Sequence, residues 1–412
     1  MEEEWKEYKA CEFCESVTDG THDSPKPKDK GFYLITSKHL KDSYIDFDSA
    51  KLISKDDYQK VIQRSKVDQY DILFSMIGTI GNTLRVTSPK IEFAVKNMGI
   101  FKFGGNELNS KWFYYWLKST KAKEYIKSRL AGSTQGYLTL NSLREFPIFC
   151  PSDKIKRIIT SILSSLDSKI ELNRRINDNL EQQAQALFKS WFVDFEPFKD
   201  GKFVESELGM IPKGCRVGKA EDFYNINIGK TPPRKEQVWF SSNSSDYIWV
   251  SISDLGSCGR FVFTSSEFLT HEAIKRHNII LVPKDTILLS FKLAIGRVRI
   301  AGTELTTNEA IARFITSDEN REYTYFLLKG YNYEKLGSTS SIATAVNSKI
   351  IKAMVVLMPD KEILKAFSSL TKPYFDQILR NEQESIRLTI LRDTLLPKLM
   401  SGELKINATE VL

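Results

Sequence analysis

The chain has 412 residues, of which 41% are hydrophobic, 27% charged and 11% aromatic, a composition that builds folded domains and excludes a disordered protein. No apolar run approaches the roughly 18 residues a membrane helix needs, and the acidic start MEEEWKEYKA has no apolar export core. Five scattered cysteines fit the reduced thiols of a cytoplasm, and a net charge of +7 invites a polyanionic partner.

In chain order, residues 1–151 alternate short β-type runs, such as Phe32-Tyr33-Leu34-Ile35, with Gly, Pro, Asn and Asp. With one helical patch over Trp112–Leu130, they predict a mixed α+β globule. Residues 152–196 carry apolar side chains at Ile155, Ile159, Ile162, Leu166, Ile170, Ile176, Leu180, Ala184, Leu187 and Trp191. Steps of three and four dominate, which predicts one long amphipathic helix. Residues 197–359 predict a second α+β globule, with a strand at Tyr247-Ile248-Trp249-Val250 and a helix over Tyr323–Leu336. Residues 360–412 hold a second long helix, its stripe running through Ile363, Phe367, Leu370, Tyr374, Ile378, Leu388, Leu391, Leu395 and Leu399. Pro373 and Pro397 predict a kink or interruption there, because an interior proline costs about 3 kcal/mol.

This order is a tandem duplication. Asp71-Ile72-Leu73-Phe74-Ser75, with Gly81 six residues after the serine, returns as Asp285-Thr286-Ile287-Leu288-Leu289-Ser290 with Gly296 six after. Gly132-Ser133-Thr134 returns as Gly337-Ser338-Thr339, and each precedes an Asn-Ser pair, Asn141-Ser142 and Asn347-Ser348. Pro151 then matches Pro359 at an offset that holds through Asn173/Asn381 to Leu187/Leu395. The predicted fold is therefore α+β with an internal pseudo-twofold repeat: two α/β globules, each followed by a long helix. The two apolar stripes bury each other best as an antiparallel coiled coil. Asn173 and Asn381 interrupt them at equivalent places, so they are expected to fix the register of the pair at a cost in stability. Replacing both with Leu is then expected to raise the melting temperature.

The charge is unevenly placed. Residues 152–196 carry seven basic and seven acidic side chains, and residues 360–405 carry eight and seven, so nearly all of the excess belongs to the globules. Equivalent loops there combine glycine with the side chains that contact DNA. In the first globule these residues are Thr21 and His22; Thr79, Asn82 and Arg85; and Ser133, Thr134 and Gln135. In the second they are Lys230 and Thr231; Lys292, Arg297 and Arg299; and Ser338 and Thr339. Lys118, Lys121, Lys123, Lys127 and Arg129 beside Trp112, Tyr115 and Trp116 read either as a phosphate-contacting helix or as the solvated face of a core helix.

Catalytic patterns fail one by one. Gly229-Lys230-Thr231 ends like a phosphate-binding loop, but Tyr224 stands where its first glycine is required. The tetrapeptide that holds an amino group for methylation is missing. Asp393 with Glu403-Leu404-Lys405 falls at a helix end rather than on the paired strands of a nuclease site. Cys11 and Cys14 make half a zinc site without a second pair, and the four histidines form no spaced pair. No catalytic residue, metal or cofactor is expected. Two basic heads on paired rods, without catalysis, fit double-stranded DNA.

The segment Ser168-Lys169-Ile170-Glu171-Leu172-Asn173-Arg174-Arg175-Ile176 through Gln182-Gln183-Ala184-Gln185-Ala186-Leu187-Phe188-Lys189-Ser190-Trp191-Phe192-Val193-Asp194-Phe195 resembles the specificity subunits of type I restriction-modification systems. So do Glu207-Leu208-Gly209-Met210-Ile211-Pro212-Lys213-Gly214 and the closing Leu391-Arg392-Asp393-Thr394-Leu395-Leu396-Pro397-Lys398-Leu399-Met400-Ser401-Gly402-Glu403-Leu404. The resemblance covers Trp5 to Leu404. Departures are Cys215, where tryptophan is usual, and Ala220 in place of leucine. It implies two target recognition domains, each reading half of a split, asymmetric DNA sequence, and helices that set the spacing and dock two methyltransferase subunits. Restriction and translocation subunits join afterwards. The alternative is a DNA-binding or protein-interaction scaffold that works without a methyltransferase.

Overall fold

The structure, a computed structural model, describes residues 5–41, 44–131, 136–336 and 346–404. The chain divides into two compact units, residues 1–171 with 386–412 and residues 172–385. Helices Asp153–Phe192 and Lys361–Met400 each contribute one stretch to either unit. Among the described residues no helix is long and apolar enough to cross a membrane.

The first unit is built on a four-stranded antiparallel sheet in the order Ser16–Asp19, Met98–Lys102, Ile72–Ser75 and Thr83–Arg85. Strand Phe32–Ile35 forms as its alternation predicts, between Lys51–Ile53 and Phe93–Val95. The helical patch expected over Trp112–Leu130 is two helices, Glu107–Leu117 and Thr120–Ser128. Ser119 separates them and caps the second, its hydroxyl accepting from the Ala122 amide at 3.2 Å. The apolar face of the first closes the core. Trp112 and Trp116 are buried, and their indole N–H groups donate to the Phe149 and Pro147 carbonyls at 3.1 and 2.7 Å. Ile159, Leu163, Leu396, Leu399 and Met400 of the long helices join the same core.

The second unit repeats this plan with a five-stranded sheet in the order Asn225–Ile228, Ile311–Ile315, Ile287–Ser290, Val298–Ala301 and Phe261–Val262. In each unit a two-stranded ribbon delivers the chain to a long helix: Lys6–Lys9 with Pro147–Cys150, and Cys215–Lys219 with Val355–Pro359. Cys215 and Ala220 are both buried at that second ribbon, so the smaller side chains still fill core positions. The predicted helix over Tyr323–Leu336 is again divided, into Arg321–Lys329 and a short 3-10 turn at Tyr333–Leu336.

Within the second unit the long helices pack antiparallel. Phe192 meets Phe367 with ring centroids 5.0 Å apart, and near the other end of the contact Asn173 donates to Glu384 at 2.8 Å. The expected interruption does not occur: the helix runs unbroken through Pro373 and Pro397. Phe367, Phe375 and Ile378 are fully buried around the first, and Leu396, Leu399 and Met400 are buried around the second. At about 1.5–3 kcal/mol for each such side chain, that burial outweighs the proline penalty.

Asn173 and Asn381 sit in a larger polar cluster than their spacing implied. The Asn173 amide donates to the Asn381 carbonyl at 3.3 Å and to Ser385 Oγ at 3.3 Å, while Asn381 donates to Asn177 Oδ1 at 2.8 Å. Gln377 in turn donates to Asn381 Oδ1 at 2.7 Å. Converting both asparagines to leucine would orphan the buried Asn177 oxygen, at about 1–3 kcal/mol. The change argued from this cluster is opposite in sign to the one argued from the register alone. The double variant should melt lower than the native chain, and a higher melting temperature in calorimetry would contradict the cluster.

A second polar knot ties the central helix to the sheet of the second unit. Glu181 accepts from Arg260 Nε at 2.9 Å, from Tyr325 Oη at 2.6 Å and from Lys329 Nζ. Arg260 also reaches Asp178 at 2.5 Å. Burial pushes the Glu181 carboxyl up, but the adjacent Arg260 and Lys329 cations win and hold it down at about 2.

Candidate nucleic-acid interface

In both units the same two loops leave one edge of the main sheet. In the first, Asp19 pairs with Gly99 and Ser75 with Met98, so the chain emerges toward residues 20–22 and 76–82 beside Lys96 and Asn97. In the second, Ile228 pairs with Ala312 and Ser290 with Ile311, which brings residues 229–231 and 291–297 to the segment 308–310. Thr21 N–H donates to Val95 at 3.0 Å, and Lys230 N–H donates to Thr307 at 2.9 Å. Gly20 and Gly229 lie so close to those strands that a Cβ would stand 2.4 Å from the Val95 oxygen or 2.1 Å from the Asn308 oxygen. Only glycine fits at either position.

The repeated serine and glycine form the frame of the second loop. Ser75 Oγ donates to the Thr79 carbonyl and accepts from the Asn82 amide at 3.0 Å. Ser290 Oγ donates to the Ala294 carbonyl and accepts from the Arg297 amide at 3.1 Å. Gly81 and Gly296 close the turns at φ +92° and +88°. A single turn geometry therefore carries two different sets of side chains.

Of the residues singled out in the sequence, Thr79 and Asn82 are exposed on the first unit's loop, and Lys230 and Lys292 on the second unit's. Thr21 is half-buried. His22 is exposed but tethered, with its ring nitrogens 2.9 Å from Asn97 Oδ1 and 3.0 Å from Asp19 Oδ2. Thr231 donates to Glu309, and the Lys230 ammonium donates to the His277 carbonyl at 3.0 Å. Three arginines turn into the fold. Arg85 donates to Ser110 at 3.0 Å and lies 4.7 Å over the Tyr70 ring, Arg297 donates to the Ile252 carbonyl at 2.9 Å, and Arg299 donates to the Val298 carbonyl at 2.8 Å. Ser133, Thr134, Gln135, Ser338 and Thr339 lie outside the described residues. Tyr137, just after the first of those stretches, bridges to Ile77 of the exposed loop.

The lysine run is divided by the helix face it occupies. Lys121 lies 4.4 Å over the Phe149 ring and Arg129 lies 5.4 Å over Tyr125, both against their own globule. Lys118, Lys123 and Lys127 line an open groove together with Lys41 and Asn82. Lys41 carries no sequence signal, since it stands about 80 residues from the helix it faces. Among the described residues no cluster of three or more metal-ligating side chains occurs. Burial raises the Cys14 thiol well above its ordinary range, as in an inert core cysteine.

Residues 2–182 and 212–388 each match the family described as type I restriction modification DNA specificity domain. Over 308 residues the chain is 32% identical to the specificity subunit of the type I restriction enzyme MjaIX of Methanocaldococcus jannaschii, covering 72% of this chain and 69% of that protein. Over 408 residues it is 26% identical to the specificity subunit of HindI of Haemophilus influenzae, covering 83% and 88%. The crystal structure of a type I restriction-modification S subunit from M. genitalium superimposes with a TM-score of 0.51 at 15% identity, over 97% of this chain and 96% of that one. That likeness is one of fold. Matched in both halves of its duplication, the chain belongs to the type I restriction-modification DNA specificity family.

Proposed function

We propose that the chain is the DNA sequence-specificity subunit of a cytoplasmic type I restriction-modification complex. Each globule reads one half of a bipartite target. The long helices set the gap between the halves and dock two methyltransferase subunits, and restriction and translocation subunits join the assembly. The chain supplies recognition and no catalysis, and needs no cofactor or metal of its own. The observation that carries this reading is the repeated sheet edge, where one loop frame presents Thr79 and Asn82 in one unit and Lys292 in the other. Two readers of different sequences need a shared scaffold with divergent side chains. Selection of duplexes from a random pool by the assembled complex should yield two short fixed sequences separated by a constant unread gap. A single uninterrupted site, or no site, would favour the scaffold reading instead.

The groove lysines should act on phosphates. Lys123→Ala and Lys127→Ala should each weaken binding to all duplexes alike and lower the salt-dependence slope by about one. A change in which sequence is selected would count against that role.

A further inference from the structure

The turn from Phe291 to Arg297 contains one residue that folding does not explain. Phe291 is buried and Ile295 packs on the core of the second unit, but Leu293 between them is 97% exposed. Its backbone sits at φ +60°, in the left-handed region that penalises any residue with a Cβ. The equivalent position in the first unit, also third after the frame serine, is Gly78 at φ +78°. Glycine is the residue this geometry favours, and the second unit carries a leucine that finds no burial among the described residues to offset the strain. Backbone strain of this kind persists where a function uses it.

The surroundings indicate what would cover it. Lys292 precedes Leu293 and is exposed. Phe291 N–H donates to Ala310 at 3.0 Å, which fixes the turn beside the segment that also holds Lys230 and, through Glu309, Thr231. An isolated apolar tip beside exposed ammonium groups suits a polyanion with an apolar interior. DNA bases meet that description, as a stacking face that an inserted leucine can part or as the thymine methyl group.

We infer that Leu293 is the apolar base contact of the second reading head, inserted into the DNA half-site from a turn held in the left-handed conformation. This inference rests on the DNA-reading function proposed above.

The test uses the full chain assembled with methyltransferase subunits, carrying Leu293→Asn, Leu293→Gly or Leu293→Met, and a duplex selected by the native complex. Asn and Gly accept the left-handed backbone and relieve its strain, so melting temperatures should equal or exceed that of the native chain. Affinity for the selected duplex should nevertheless fall about tenfold for both, while Met binds as the native residue does. Loss of affinity when thymines of that half-site are replaced by uracil assigns the methyl group. A fluorescence rise from 2-aminopurine placed in that half-site, present with Leu and absent with Asn, assigns the stacking face. A native complex that selects a sequence, with Asn and Gly variants that bind it equally well, overturns the inference alone. A native complex that selects no sequence overturns the proposed function with it.

Discussion

Glu181→Gln is expected to destabilise the second unit by about 3 kcal/mol at neutral pH. The glutamate is 7% exposed and accepts from Arg260, Tyr325 and Lys329 at once. An isosteric amide keeps the volume but leaves those cations beside a neutral group, and breaking such a pair costs about 3–5 kcal/mol. The lower end applies because Arg260 retains Asp178. For a unit of this size the melting temperature should fall on the order of 10 °C. The carboxyl titrates at about 2 against an ordinary value of 4.5. A depressed folded value stabilises above the unfolded value and is lost as pH falls through the folded one. The difference between native and variant should therefore be complete above pH 4.5 and shrink away toward pH 2. A gap that stays constant over that range would exclude the ion pair as its origin.

Exchanging residues 197–359 for those of a relative with another specificity is expected to rewrite one half of the recognised sequence and leave the other unchanged. The exchange junctions fall at the end of the central helix and at the ribbon Cys215–Lys219 with Val355–Pro359, whose pairing the relative would bring whole. Inside the junctions lie both loops of the second sheet edge; outside lie Thr79, Asn82 and the lysine groove. Adding one matched turn to both long helices should alter only the unread gap. A turn of about 5.4 Å is worth between one and two base pairs at about 3.4 Å each. A swap that changed both halves would mean that the heads do not read independently.

Much of this organisation is written locally. The strands Phe32–Ile35 and Tyr247–Val250 and the two long helices follow from periodicities a single segment carries, and the duplication from comparing such segments. The break at Ser119 was also legible, since serine before Thr-Lys-Ala is a cap, but aromatic spacing on either side masks it. Pro373 misleads because the rings that bury its neighbours Phe367 and Phe375, Phe192 and Tyr325, stand far away in the chain. The directions of the arginines are hidden for the same reason. Arg85, Arg297 and Arg299 look like base readers in a string of loop residues, yet Ser110 and the Ile252 carbonyl decide where two of them point. Leu293 is the converse, an ordinary core residue by type whose exposure follows only from the turn geometry shared with Gly78.

The most direct test of the central claim is a genome-wide map of methylated adenines in cells that carry the chain, in cells that lack it, and in cells carrying the 197–359 exchange. A split, asymmetric motif should be methylated only when the chain is present, and the exchange should alter one of its halves. Methylation that is identical in all three would contradict the account.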